Sequence, residues 1–264
     1  MEEYLDKYDS LDRILVYDFK LGRGGIGDLL KFFIYLVNYG IKNNIKIHYL
    51  INDISLEKYI KLKNDKFYIR NEDIVNKIKI NDESEMINIK PNIYYFIEPH
   101  ILYNIITYET MFSYDQVFEF SEVVKTNSQM IFRNNNINYI SIHLRLGDKY
   151  LEIDNKYIDC LLDTRNYNED NIFKFIEENP YKNIIFFCDN QTYKLKIKKK
   201  YNNIIITNCE IGHTSLINTT EKQILDSITE FYLMTKSDKI IMASCSGFSR
   251  TASKFKNIPI EKLY

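Results

Sequence analysis

The chain has 264 residues, 45% of them hydrophobic, which is enough to bury a sizeable core as one large domain or two compact ones and excludes a disordered chain. Its 35 basic and 36 acidic residues are spread along the chain and leave a formal net charge of -1. No broad positive field exists to gather a nucleic-acid backbone, so nucleic acid is not an expected partner.

The first ten residues are acidic and polar where a secretory signal needs a basic start and an apolar stretch, and no apolar run reaches the roughly 18 residues of a membrane span. A cytoplasmic protein without a transmembrane segment is expected. Cys160, Cys188, Cys209 and Cys245 lie in or beside apolar runs without metal-like spacing, and read as buried thiols in a reducing compartment. The excess of Asn, Ile, Lys and Tyr over Gly, Pro and Trp reads as codon pressure from an AT-rich gene, bacterial or viral, so most of the 22 Tyr and 16 Phe are assigned to core and bias.

In chain order, apolar runs predict strands at 14–19 and 45–51, with a helix from Asp28 to about Asn43 between them. Residues 64–91 are polar and weakly periodic; 93–97 predicts another strand. The polar stretch 129–138 places a domain boundary at 135/136. Beyond it, strands are predicted at 137–142, 184–188, 204–207 and 239–242. One helix is capped by Asn168 and stopped by Pro180, and another runs from Thr220 to Lys236. The lysines at 196–200 read as a solvated helix end. Short strands alternating with helices predict an α/β fold with parallel sheets.

Four of the eight glycines fall between Gly22 and Gly27, directly after a strand and before a helix. Residues without a Cβ let the backbone approach a ligand, and the helix start that follows favours an anion. The same residues spell GxGxxG, with Asp53 placed after the next strand like a ribose-binding acid. An NAD(P)-dependent oxidoreductase using the Gly22–Gly27 loop is therefore an open alternative. Its Tyr59 and Lys63, spaced like a short-chain dehydrogenase pair, come early in the chain for that role.

The second half opens on a strand leading into His143, Arg145, Gly147 and Asp148, an HxRxGD segment. Alternation along a strand puts His143 and Arg145 on one side, and Gly147 turns the chain at the edge where α/β folds bind ligands. An arginine held there can clamp a diphosphate through two parallel hydrogen bonds, oriented by Asp148. A bland reading stays open: a core histidine, and an ion pair at a strand end.

This segment resembles the first signature of the α1,2-, α1,6- and protein-O-fucosyltransferase superfamily. The strand at 184–188 with Asp189 looks like that family's second motif. Glu230 on a helix, the strand at 239–242 and the Ser-rich turn through Ser244, Ser246, Gly247 and Phe248 look like the third. The loop Gly24, Gly25, Gly27 and Asp28 is similar to the glycine loop of bacterial α1,2-fucosyltransferases.

The resemblance implies a GT-B-like arrangement of two Rossmann-like halves: 1–135 on the acceptor side and 136–264 binding the nucleotide-sugar donor. It implies an inverting, metal-independent transfer of a deoxysugar, fucose from GDP-fucose, to a glycan hydroxyl. Arg145 would bind the β-phosphate, His143 place the nucleotide and Glu230 face the base, while Ser244 and Ser246 with nearby N–H groups cradle the phosphates. The family usually has Asp where this chain has Glu230, and a longer acid reads a base differently. No DxD pair for a metal occurs in the chain. Asp28, Glu152 and Asp154 are candidates for the base that the acceptor hydroxyl requires. A non-catalytic nucleotide-sugar-binding relative is the other alternative.

Overall fold

Runs of Ile, Leu, Val and Tyr near the start of each half form the central strands of two parallel sheets. The computed structural model describes all residues except 23, 106–109, 133–136, 152–162, 215 and 217–218, so Glu152, Asp154 and Cys160 lie outside the described residues. The chain divides into two compact units, Met1–Glu119 and Phe120–Tyr264.

The first unit begins with helix α1 (Glu2–Asp6), strand β1 (Ile14–Tyr17), helix α2 (Ile26–Asn43) and strand β2 (Lys46–Leu50). Short strands follow: β3 (Ile60–Leu62), β4 (Tyr68–Ile69), β5 (Lys77–Lys79) and β6 (Tyr94–Ile97), and β7 (Phe118–Phe120) runs across the division in sequence. Its main sheet has the order β4-β2-β1-β6-β5, every pair parallel. β1 is buried throughout, as a strand covered on both faces must be. From α2, Phe33 packs against Tyr17, Tyr49 and Phe67, so part of the aromatic load is core here.

The second unit contains helix α3 (Glu122–Ile131), strand β8 (Ile140–Leu144), helix α4 (Glu169–Glu178) and strand β9 (Ile184–Cys188). It continues with helix α5 (Gln191–Lys200), strand β10 (Ile205–Ile206), helix α6 (Glu221–Met234), strand β11 (Lys239–Met242), helix α7 (Gly247–Ser253) and strand β12 (Ile260–Lys262). The sheet order is β10-β9-β8-β11-β12, again all parallel. In both sheets the strand that comes first in the chain is central and the order reverses beside it, between β1 and β6 and between β8 and β11. Ligands of open α/β sheets bind outside the carboxyl ends at such points.

The α/β reading with parallel sheets holds. The helix starts hold as well: the Asn168 side chain accepts from the N–H of Asn171 at 3.2 Å, and Thr220 and Gln223 form a reciprocal capping box. The 196–200 lysines form the last turn of α5, where Lys198 donates to the carbonyls of Asn202 and Ile204. The units meet earlier in sequence than the break at 135/136, because the polar stretch there includes the end of α3. That helix packs on α6, with Asn127 Nδ2 donating to Thr229 Oγ1 at 2.9 Å. One cysteine differs from expectation: Cys188 and Cys209 are buried, but Cys245 is exposed, with Arg250 Nη2 at 3.3 Å from its sulfur. Among the described residues no helix is long and apolar enough to cross a membrane.

Gly40 shows how tightly α2 sits on its sheet. A Cβ there would lie 2.4 Å from Ile47 Cγ1 and 2.7 Å from the Ile45 carbonyl oxygen. Alanine gains about 1 kcal/mol in helix propensity, whereas overpacking against backbone costs roughly 1–3 kcal/mol. Gly40→Ala is therefore expected to lower the urea midpoint of unfolding; a raised midpoint would show that α2 can lift away from β2.

Candidate functional site

β8 is buried along its whole length and ends at the reversal point of the second sheet. The residue that follows it, Arg145, is fixed through its backbone. Ser244 Oγ accepts from the Arg145 N–H and donates to the Arg145 carbonyl, both at 2.8 Å, tying the end of β8 to the chain just beyond β11.

Three carboxylates hold the guanidinium. Nη1 donates to Asp189 Oδ2 and Nη2 to Asp148 Oδ1, while Asp163 Oδ2 lies 3.8 Å from Nη2. Burial works to lower the guanidinium pKa, but Asp189, Asp148 and Asp163 together outweigh it and raise it. Asp189 also accepts the N–H groups of Leu146 and Gly147, at 2.8 and 3.0 Å. It does not cap the next helix; Asn190 does so, accepting from the N–H of Tyr193 at 2.8 Å. Gly147 has φ +112, and a Cβ there would sit 2.3 Å from the Asp163 carbonyl oxygen, so only glycine fits this turn.

His143 is buried, and its ring stacks on Phe248 of α7 with centroids 5.4 Å apart. Burial pushes its pKa down to about 4, Arg145 and Lys194 lower it further and Asp189 opposes them, so the ring is neutral at pH 7. Its Nδ1 is a buried polar atom with no hydrogen-bond partner among the described residues. Such an atom costs about 1–3 kcal/mol, a cost that a bound ligand can relieve.

Glu230 on α6 is buried beside Lys194, whose Nζ donates to Oε1 at 2.5 Å and to Thr207 Oγ1 at 3.0 Å. Thr207 also donates to Oε1. Burial raises the Glu230 pKa, with Lys194 and Thr207 acting against it. Ser246 occupies the N-cap position of α7 without a side-chain capping bond, and Gly247 is exposed at the first turn.

The glycine loop and Asp28 belong to the first unit. Gly22 and Gly24 have φ of +82 and +109, and a Cβ on Gly24 would meet Asp28 Oδ2 at 2.7 Å. Asp28 Oδ2 accepts the Gly25 N–H at 3.3 Å, capping α2, and its Oδ1 lies 3.6 Å from Lys31 Nζ. Gly27 is inside the first turn of α2. The positive φ angles ask for glycine at 22 and 24, whereas Gly25 has φ -90, which other residues adopt. Tyr59 and Lys63 flank β3 and do not share a helix face, so the dehydrogenase pair is not formed.

Sequence reasoning missed Asp163, Lys194, Thr207 and His213, whose Nε2 lies 4.0 Å from Asp148 Oδ2. Asp163 reaches Arg145 from a separate point in the chain and has no local signature. Lys194, three positions before the buried Ile197 on α5, did carry one: a lysine on the apolar face of a helix.

No protein-family model and no curated protein sequence matches the chain. Solved structures do. NodZ α1,6-fucosyltransferase from Bradyrhizobium, soaked with GDP-fucose, is similar at a TM-score of 0.56 with 9% identity over 92% of both chains. Arabidopsis thaliana FUT1 in complex with GDP gives 0.59 and 10% identity, over 100% of this chain and 74% of that one. POFUT1 in complex with GDP gives 0.54 and 10%, over 96% and 98%. The fold is the GT-B-like one of these fucosyltransferases.

Two outcomes follow for stability. His143 and His48 are both pushed down to about 4 by burial, so the unfolded chain binds protons below pH 6.5 that the folded chain refuses. Their stabilisation is complete above pH 6.5 and is lost as pH falls toward 4, by up to about 3 kcal/mol each. Urea unfolding from pH 7 to 4.5 should show this slope, and His143→Gln should flatten it by close to one proton. Asp189→Asn leaves a buried guanidinium short of a partner and should cost about 3 kcal/mol in the same assay at pH 7.

Proposed function

We propose that the chain is an inverting, metal-independent glycosyltransferase that moves a deoxysugar, best read as fucose from GDP-fucose, onto a hydroxyl of a glycan. The observation that carries this reading is Arg145, a guanidinium locked at the reversal point of the second sheet, in a fold shared with fucosyltransferases whose structures hold GDP or were soaked with GDP-fucose.

Among the described residues, the bonds of Arg145 use one hydrogen on each terminal nitrogen, so the five-donor fork keeps N–H groups for a phosphate. Its carboxylates hold it in place before the ligand arrives, so little reorganisation is needed as charge develops on the departing diphosphate. Neutral His143 offers Nδ1 to the nucleotide. Ser246, Gly247 and the N–H groups at the start of α7 receive phosphate oxygens, while Phe248 lies over the histidine. The Ser244 hydroxyl is engaged on the Arg145 backbone, so its part is to hold the arginine rather than to touch phosphate. Glu230, with Oε1 taken by Lys194 and Thr207, meets the base through its remaining oxygen. Metal independence rests on the absence of a DxD pair from the sequence and on the charge that Arg145 supplies.

A thermal-shift panel of GDP, GDP-fucose, UDP, UDP-sugars and NAD, each with and without EDTA, tests the reading. A nucleotide at 100 times its Kd adds about 2.7 kcal/mol, roughly 5–10 °C for a chain of this size. Selective stabilisation by GDP compounds that survives EDTA and is lost in Arg145→Ala is expected. Stabilisation by NAD alone, unaffected by the mutation, would overturn it.

A further inference from the structure

Lys194 and Glu230 are paired almost out of water, with exposures of 0% and 3%. Burying an ion pair costs both partners their hydration, so such a pair is weak evidence of a stabilising role. Its place in the second unit points to another. Thr207 directly follows β10, and Lys194 lies near the start of α5, the helix that follows β9. Both are therefore at the carboxyl edge of the sheet, where Arg145 and Asp189 also lie. Phe231, next to Glu230, meets Phe248 edge-on with centroids 5.0 Å apart, and Phe248 is the ring stacked on His143. The buried pair adjoins the site built around Arg145.

Resting on the glycosyltransferase reading, in which Glu230 faces the base, we propose that Lys194 sets which purine the donor site accepts, as a positioning residue that holds Glu230 fixed and ionised. The three side chains form a closed ring. Lys194 Nζ donates to Glu230 Oε1 at 2.5 Å and to Thr207 Oγ1 at 3.0 Å, and the Thr207 hydroxyl donates to the same Oε1. Two donors fill Oε1, and no group among the described residues bonds Oε2. An ionised carboxylate only accepts, so Oε2 suits a purine with hydrogen on N1, guanine or hypoxanthine. Adenine has a bare N1 at that place and would set acceptor against acceptor. Without the ammonium, a buried Glu230 takes up a proton and becomes a donor, which suits the bare N1 of adenine instead. Lys194 thus decides whether this wall of the pocket accepts or donates.

The other titratable groups nearby leave that role to Lys194. Burial raises the Glu230 pKa, and the charge of Lys194 is the largest influence against it. Asp226, on the same helix, works with burial, and is itself held by Lys222 Nζ at 2.9 Å. Cys188 at the end of β9 and Cys209 beyond β10 are buried thiols that burial pushes up, so neither carries charge. His143 on β8 is neutral.

The test uses the full chain and measures the Kd of GDP, IDP and ADP by titration calorimetry at neutral pH. Wild type should bind ADP roughly 10–100-fold more weakly than GDP, the worth of a hydrogen bond to a charged group. IDP, which keeps the N1 hydrogen, should bind far closer to GDP than to ADP. Lys194→Met should weaken GDP, strengthen ADP and bring the two within a few-fold of each other, a change in ratio that a merely structural lysine would not cause. Lys194→Met combined with Glu230→Gln removes both charges and should also lose the preference, which keeps the test open if the single variant fails to fold. An unchanged GDP-to-ADP ratio in a folded variant, or equal binding of GDP and ADP by the wild type, would overturn the role of Lys194 alone. A wild type that binds no nucleoside diphosphate would overturn the glycosyltransferase reading and this inference with it.

Discussion

The need to neutralise one buried guanidinium organises the second unit. Arg145 is set almost out of water, where an unpaired charge is prohibitively expensive. Its partners come from the end of β9, from the turn after β8 and from Asp163, while Ser244 arrives from beyond β11. Strand order, turn geometry and the glycine at 147 are all consistent with bringing these groups to one point. The apolar packing of β8, β9 and β11 provides the stability, and the charge pairing sets which ends face the ligand edge.

The two units use one architecture for different chemistry. In the second, a preorganised cation and a neutral, unsatisfied histidine suit an anionic ligand. In the first, the same edge carries two buried carboxylates, Asp18 and Glu98, held by lysines and an asparagine. Parallel sheets allow this division because every strand ends at the same edge, so chemistry can be changed by altering the residues just past the strands.

Elements with strong local signals were legible in the sequence. β9 and β11 match their predicted bounds, since their apolar runs are bounded sharply, and α4 and α6 start where Asn168 and Thr220 can cap them. β5 was not legible because all three of its residues are exposed and give no buried alternation. The earlier division between units was hidden by α3, a polar helix with few buried residues that reads like a linker. At the candidate site, Arg145, Asp148 and Asp189 were readable from their places at strand ends, and the structure joins them. The Lys194 partner of Glu230 depends on which element folds against which, and strand and helix periods do not encode that.

The turn at Gly147 has a consequence for how this protein can vary over evolutionary time. The N–H of Lys149 donates to the Asp163 carbonyl at 3.2 Å, and the N–H of Arg165 donates to the Leu146 carbonyl at 2.9 Å. The chain therefore departs from Arg145 and comes back to it at a closed root. Both closing bonds join backbone groups, so the side chains at 149 and 165 can be exchanged without losing them.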